Sequence, residues 1–191
     1  MKKILTAAAI LSAVSSLTQA GVLGATAGYN YWATSDFGAF QTGYAQFEHF
    51  IPLLPNAAVR FGKVDDKKLN FKSYDAYGYY ELLDNDMVSV DLGAGLRRFN
   101  NGELKGQSFS DTVPMVNAEA EFFKALPTYG YARVDLGRSS DSRFQDMEAG
   151  VRFDVLTGFS IQAGYRVYDL DMNMKNKETV RGFTAGLRLD I

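Results

Sequence analysis

Few residues in this chain could carry acid–base or nucleophilic chemistry. Of 191 residues, one is histidine and none is cysteine. That excludes a cysteine nucleophile, a disulfide framework, a thiolate zinc site and a histidine cluster around a metal. His49 is the only imidazole base, and such a base needs a nucleophile within hydrogen-bond reach. The segment Glu48 to Asn56 around it holds no serine. Glu119/Glu121 and Glu148/Asp154 are carboxylates of matching parity. On a strand, same-face neighbours stand about 7 Å apart, a spacing that suits paired acid–base work. Arginine neighbours give the same acids a simpler use, as bidentate ion pairs. Asp65-Asp66 and Asp169-Leu170-Asp171 place hard oxygen ligands in or near loops, where Ca²⁺ would find them. Neither fits a D-x-D-x-D-G loop. No catalytic residue, no metal site and no cofactor is expected. The net charge of −2 argues against nucleic acid, whose phosphates demand a basic surface.

The elements that must position these groups show in the periodicity. From Asp146 to Val155, Met147, Ala149, Val151, Phe153 and Val155 share one face, while Asp146, Glu148, Gly150, Arg152 and Asp154 share the other. A helix would scatter those charges, whereas a strand collects them on one side. The same alternation runs through Phe159–Val167, Gly182–Ile191, Val88–Arg97 and Val116–Phe123. Weaker versions fill the gaps. The pattern predicts an all-β chain of ten strands, near 22–33, 41–50, 57–64, 73–83, 87–99, 115–125, 129–138, 145–156, 159–170 and 180–191. An eight-stranded version, with 41–64 outside the sheet, is the alternative.

Residues 1–20 read as a cleaved signal peptide: Lys2-Lys3, an apolar run from Ile4 to Leu17, and small residues before Gly21. The remainder, 21–191, forms one domain. Its connections alternate between tight turns and longer polar segments at 34–40, 65–72, 100–114, 139–144 and 171–179. An even strand number with that alternation is the pattern of a transmembrane antiparallel up-and-down β-barrel. A charge at the bilayer midplane costs about 2–4 kcal/mol, so charge-free faces suit lipid. A water-soluble barrel would show the same alternation. The leader, the loop asymmetry and an apolar final strand that resembles an outer-membrane assembly signal decide for the membrane. The charged faces then line the lumen. These are Glu48, Arg60, Asp75, Glu81, Asp91, Arg97, Glu119, Glu121, Arg133, Asp135, Glu148, Arg152, Asp154, Arg166 and Arg188, with Asp190 beside them. A lumen filled by Arg–carboxylate pairs and Tyr77, Tyr79 and Tyr131 implies a structural or interaction role. The acid excess keeps a narrow cation channel as the second reading, and an outer-membrane enzyme as the third. Tyr29, Tyr31, Trp32 and Phe50 are expected in interfacial aromatic girdles.

The stretches Glu48-His49-Phe50-Ile51-Pro52-Leu53-Leu54-Pro55-Asn56, Tyr79 to Asn85 running into Val88 to Gly93, and Gly164-Tyr165-Arg166 together resemble a family of small Gram-negative outer-membrane β-barrel proteins. They are loosely similar also to YfaZ-type outer-membrane proteins. The resemblance implies the outer-membrane location and the barrel fold, and supplies no catalytic or ligand residues. Both termini lie on the tight-turn side, which is expected in the periplasm. The expected partners are outer-membrane lipid and lipopolysaccharide, and the barrel-assembly machinery acting on the C-terminal strand. A monomer is expected.

Overall fold

The four residues Leu96-Arg97-Arg98-Phe99 show how the chain is built. Leu96 and Arg98 project outward and Arg97 and Phe99 inward, so the apolar side chain changes face within one strand. A computed structural model describes residues 23–51, 53–172 and 176–191. The expected signal peptide and Pro52 lie outside the described residues. The described residues form ten antiparallel strands: β1 (Leu23–Thr34), β2 (Phe40–His49), β3 (Asn56–Asp65), β4 (Leu69–Asp84), β5 (Val88–Leu104), β6 (Gln107–Phe122), β7 (Thr128–Arg138), β8 (Ser142–Leu156), β9 (Phe159–Met172) and β10 (Asn176–Asp190). Each strand pairs with its neighbours in sequence, and β1 closes on β10. Closure satisfies the backbone groups that an open sheet would leave unpaired in hydrocarbon. β2 and β3 lie within the wall, paired from Leu23↔His49 to Trp32↔Phe40 and from Asn56↔Tyr79 to Asp65↔Asn70. The eight-stranded alternative is therefore excluded.

At the end away from the chain termini the strands outrun the expected boundaries. Most of 65–72, 100–114, 139–144 and 171–179 is strand, not loop. The β5–β6 connection shrinks to Lys105-Gly106, with φ of 51° and 81°, a primed two-residue hairpin turn. The physical reason is that period 2 continues while its polarity inverts. In the half nearer the termini, apolar residues face outward: Met147 to Val155 on β8 and Phe159 to Val167 on β9 carry no outward charge. Eight steps at about 3.3 Å, tilted about 40°, cover roughly 20 Å along the barrel axis, close to the ~25 Å apolar band of outer-membrane barrels. In the far half, Leu69, Phe71, Phe99, Leu104, Phe109, Val113, Phe144, Leu170 and Met172 point inward and are buried. Their neighbours Asn70, Lys72, Arg98, Glu103, Thr112 and Arg143 face out. Lys-, Asn- and Ser-rich stretches thus look like loops only when the apolar side is assumed to stay outside.

Inside the far half the aromatic rings close a circuit. Trp32 meets Phe40 at 4.5 Å, Phe40 meets Phe71 at 5.8 Å, and Phe71 meets Phe99 at 5.5 Å. Phe99 then meets Phe144 at 5.9 Å, Phe144 meets Tyr168 at 6.1 Å, and Tyr168 returns to Trp32 at 6.5 Å. Trp32 is only 1% exposed, which corrects its expected place in an outer girdle. Tyr29 and Tyr31 do project outward, and parity sends the next residue in. Glycine makes room for the rings. A Cβ at Gly102 would collide with the Phe109 ring and one at Gly137 with the Phe144 ring.

Phe99→Ala should therefore cost about 3–5 kcal/mol, because it removes a fully buried ring and leaves a cavity. Leu96→Ala, three residues away on the outer wall, should cost clearly less. Reversible urea unfolding of the refolded protein in lipid vesicles measures both.

Candidate functional site

The charged lumen lies next to the aromatic circuit and is built from cross-strand rows. Register aligns Arg60, Asp75 and Arg97 across β3, β4 and β5 as a plus–minus–plus row. A second such row, Arg133, Glu148 and Arg166, crosses β7, β8 and β9. Between the rows stands a conflict: Asp135 and Asp146 face each other directly across β7–β8. Like charges in that position repel. Arginines of β3, β5, β7 and β9 resolve it. Arg60 reaches Asp135 at 2.5 Å, and Arg97 reaches Asp135 at 3.0 Å and Asp146 at 3.3 Å.

Arg97 is the hub. Its Nε and Nη2 donate to both oxygens of Asp75 at 2.8 and 2.7 Å, and its Nη1 donates to the Tyr168 hydroxyl at 3.2 Å. Its guanidinium lies 4.4 Å from the Phe144 ring centre, so the ion-paired layer abuts the aromatic one. Arg166 grips both oxygens of Asp146 at 2.7 Å and sits 4.6 Å from the Trp32 ring centre. Arg133 donates to Asp135 at 2.6 Å and to Glu148 at 3.1 Å, and Asn117 also donates to Asp135. Nearer the termini, Arg152 holds Glu119 at 2.9 Å and also Glu121, over the Tyr131 ring at 4.4 Å. Arg188 ties Glu121 at 3.2 Å and Asp190 at 2.9 Å.

The lumen then opens into a vestibule of about 260 Å³ at the terminal end, lined by Glu48, Glu81, Asp91, Ser89 and Gln46 among others. Here the expected arginine pairing fails. Glu48 accepts from the Tyr79 hydroxyl at 3.3 Å and Glu81 from the Asn56 amide at 3.1 Å. One buried oxygen of Asp91 has no hydrogen-bond partner among the described residues. Asp154 is exposed at the rim and accepts from Ser160 at 2.7 Å. The arginine network thus gathers Arg60, Asp75, Arg97, Glu119, Glu121, Arg133, Asp135, Glu148, Arg152, Arg166 and Arg188, and leaves out Glu48, Glu81, Asp91 and Asp154. Asp146, on the charged face with Glu148 and Arg152 in the sequence pattern but not among the lumen residues named from it, joins the network. The sequence reading missed Tyr168, which no charge pattern marks.

The other candidates for chemistry have local roles. His49 Nε2 lies 3.1 Å from the Pro55 carbonyl, and its Nδ1 accepts the Ile51 N–H at 3.3 Å. The imidazole thus staples its own turn. Glu119 and Glu121 share Arg152, and Glu148 is held by Arg133, which leaves neither expected carboxylate pair free. Asp65 pairs with Lys63 at 3.2 Å, and Asp66 accepts the Lys68 N–H at 2.9 Å. Asp169 accepts from Thr179 at 2.5 Å, while Leu170 between the two acids is buried in the aromatic half. Phe50 is exposed at the β2–β3 turn, as Tyr29 and Tyr31 are on the wall.

Neither a family model nor a curated protein matches this chain. Solved structures do. The outer membrane protease OmpT from Escherichia coli is 7% identical with a TM-score of 0.50, over 89% of this chain and 94% of that one. A KdgM porin is 8% identical with a TM-score of 0.48, over 86% and 98%. Neisserial surface protein A is 20% identical with a TM-score of 0.35, over 87% and 94%. At these identities the likeness is one of fold: a closed antiparallel barrel of the outer-membrane type.

Arg97→Ala would remove a partner from three buried carboxylates and leave Asp75 with only the longer contact to Arg60 at 3.4 Å. It should cost about 3–5 kcal/mol, the penalty for breaking a buried pair. Arg97→Lys should recover little of it, because a lysine cannot hold Asp75 bidentately. Urea midpoints of the three refolded proteins decide the order.

Proposed function

We propose that this chain is an integral protein of the Gram-negative outer membrane whose lumen is closed to ion flow. It acts through its surfaces, as a structural or interaction protein, rather than as a channel or an enzyme. The observation that carries this reading is the aromatic circuit packed against the ion-paired layer. Together they place side chains from both walls across the whole lumen. A further brace supports it. The β5–β6 hairpin leans over the mouth, and Lys105 at its tip pairs with Glu178 of β10 at 2.5 Å. β10 stands opposite β5 in the barrel order, so this contact crosses the opening.

The charge-free outer wall supports the membrane assignment, since lipid tolerates only apolar side chains at that depth. The proposal puts the terminal end, where the apolar outer wall runs into the turns, in the periplasm, and the far-end hairpins with their polar outer faces outside. The proposal keeps outer-membrane lipid and lipopolysaccharide as the surroundings. It assigns recognition by the assembly machinery to β10 with Phe183, Ala185, Leu187 and Leu189, and it takes the barrel as a monomer. Kinship with YfaZ-type proteins belongs to the same proposal. A non-enzymatic role fits His49, both of whose ring nitrogens are engaged by its own turn.

The acidic vestibule favours one alternative, a cation pathway. It narrows to a void of about 30 Å³ beside Arg60, Arg133 and Arg152, which is room for a water molecule and not for a hydrated ion.

Planar-bilayer recording tests the proposal on protein whose folding is first verified by gel heat-modifiability. No discrete steps are expected at low or high salt. Regular cation-selective steps, reduced by Asp91→Asn or Glu119→Gln, would establish the pathway and overturn the closed reading.

A further inference from the structure

The outer wall changes chemistry at one rim of the apolar belt. Beyond the belt at the far end, the first charged outward side chain is basic on β3, β4, β5, β7, β8 and β10. The residues are Lys63, Lys72, Arg98, Arg138, Arg143 and Arg181. On β9 it is acidic, Asp169. Among the described residues the terminal rim has no such collar. Its outward positions stay apolar into the turns, and Lys124 there is neutralised by Asp84 at 2.8 Å.

Register makes part of this collar unfavourable for the protein alone. Lys63 stands directly opposite Lys72 across β3–β4. Like charges so placed repel, and the exposed Asp65 beside Lys63 answers only one of the two. Arg98 joins them on β5. Its Nε donates to Asn100 at 2.9 Å and its Nη1 to Thr112 at 2.8 Å, which holds the guanidinium in place on the wall. One step toward the belt, Phe61 and Tyr74 pair with ring centres 5.2 Å apart, both exposed. Three cations thus adjoin an apolar aromatic surface continuous with the lipid-facing wall.

We infer that Lys63, Lys72 and Arg98 form a docking surface for the anionic phosphate headgroup of a membrane lipid whose acyl chains lie against Phe61 and Tyr74. A phosphate between the two lysines removes their repulsion, and Arg98 adds a charge-assisted hydrogen bond. Continuity with the belt selects a lipid over a soluble anion, because the headgroup and chain of one molecule meet both surfaces together. The inference rests on the membrane reading above and adds the residues and the headgroup chemistry.

The test refolds the full chain into phosphatidylcholine vesicles doped with diphosphoryl lipid A or with its dephosphorylated counterpart. The phosphorylated lipid should raise the urea midpoint, and added salt should shrink the rise by screening. The triple variant Lys63→Gln, Lys72→Gln, Arg98→Gln should lose most of the rise. Lys67→Gln with Lys68→Gln, in the exposed turn away from the belt, should keep it. An equal rise in the triple variant overturns the docking surface. So does an equal rise from inorganic phosphate added to undoped vesicles, which would mark a soluble-anion site. Insertion without phosphate dependence overturns this inference alone, whereas failure to insert in any vesicle overturns the membrane reading with it.

Discussion

The barrel depends on how its buried arginines and carboxylates satisfy one another across the lumen. Asp135 and Asp146 are fully buried and directly opposed, an arrangement that repels by itself. Arg133 of β7, Arg166 of β9, Arg97 of β5 and Arg60 from across the lumen neutralise them. An uncompensated buried charge costs several kcal/mol, so the two walls are held at the separation that these contacts require. The same contacts fix the rotamers of the residues that carry them. Arg97 alone is held by Asp75, Asp135, Asp146, Tyr168 and the Phe144 ring.

The aromatic circuit and the ion-paired layer reinforce each other. Rings over Arg97 and Arg166 keep water from one side of the network, and a low local dielectric strengthens each hydrogen bond within it. In return the charges anchor the ring edges: Tyr168 turns its hydroxyl to Arg97 and its ring to Phe144. One set of strands therefore serves two solvents. Near the termini the wall is apolar and the interior charged, as lipid demands. At the far end the wall is polar and the interior apolar, as in a water-soluble barrel. The change takes only a few residues because a strand presents opposite faces at every step.

A barrel fold does not choose a chemistry. Likeness of fold to OmpT, named a protease, carries no activity to this chain, because function belongs to the site placed on a fold. In this chain the polar side chains that could serve a site are largely occupied with one another. The vestibule acids escape the arginine network because Arg152 and Arg188 are already shared among Glu119, Glu121 and Asp190.

The strand number, the antiparallel order, the charge-free outer wall and most of the lumen residues were legible in the sequence. Each follows from period 2 and from the cost of charge in lipid, which are local rules. Tyr29, Tyr31 and Phe50 fell where parity and turn position put them. Trp32 does not join them, because its place one step after Tyr31 turns it inward whatever its aromatic character suggests. The far-end strands were hidden for a related reason. Lys72, Asn100 and Ser110 look like loop residues until Phe71, Phe99 and Phe109 are known to pack inward on one another. Only tertiary structure decides which arginine meets which carboxylate, since Arg60 and Asp135 lie 75 residues apart and meet only when the sheet closes. Closure brings opposite walls within the reach of a side chain, and no one-dimensional pattern carries that distance.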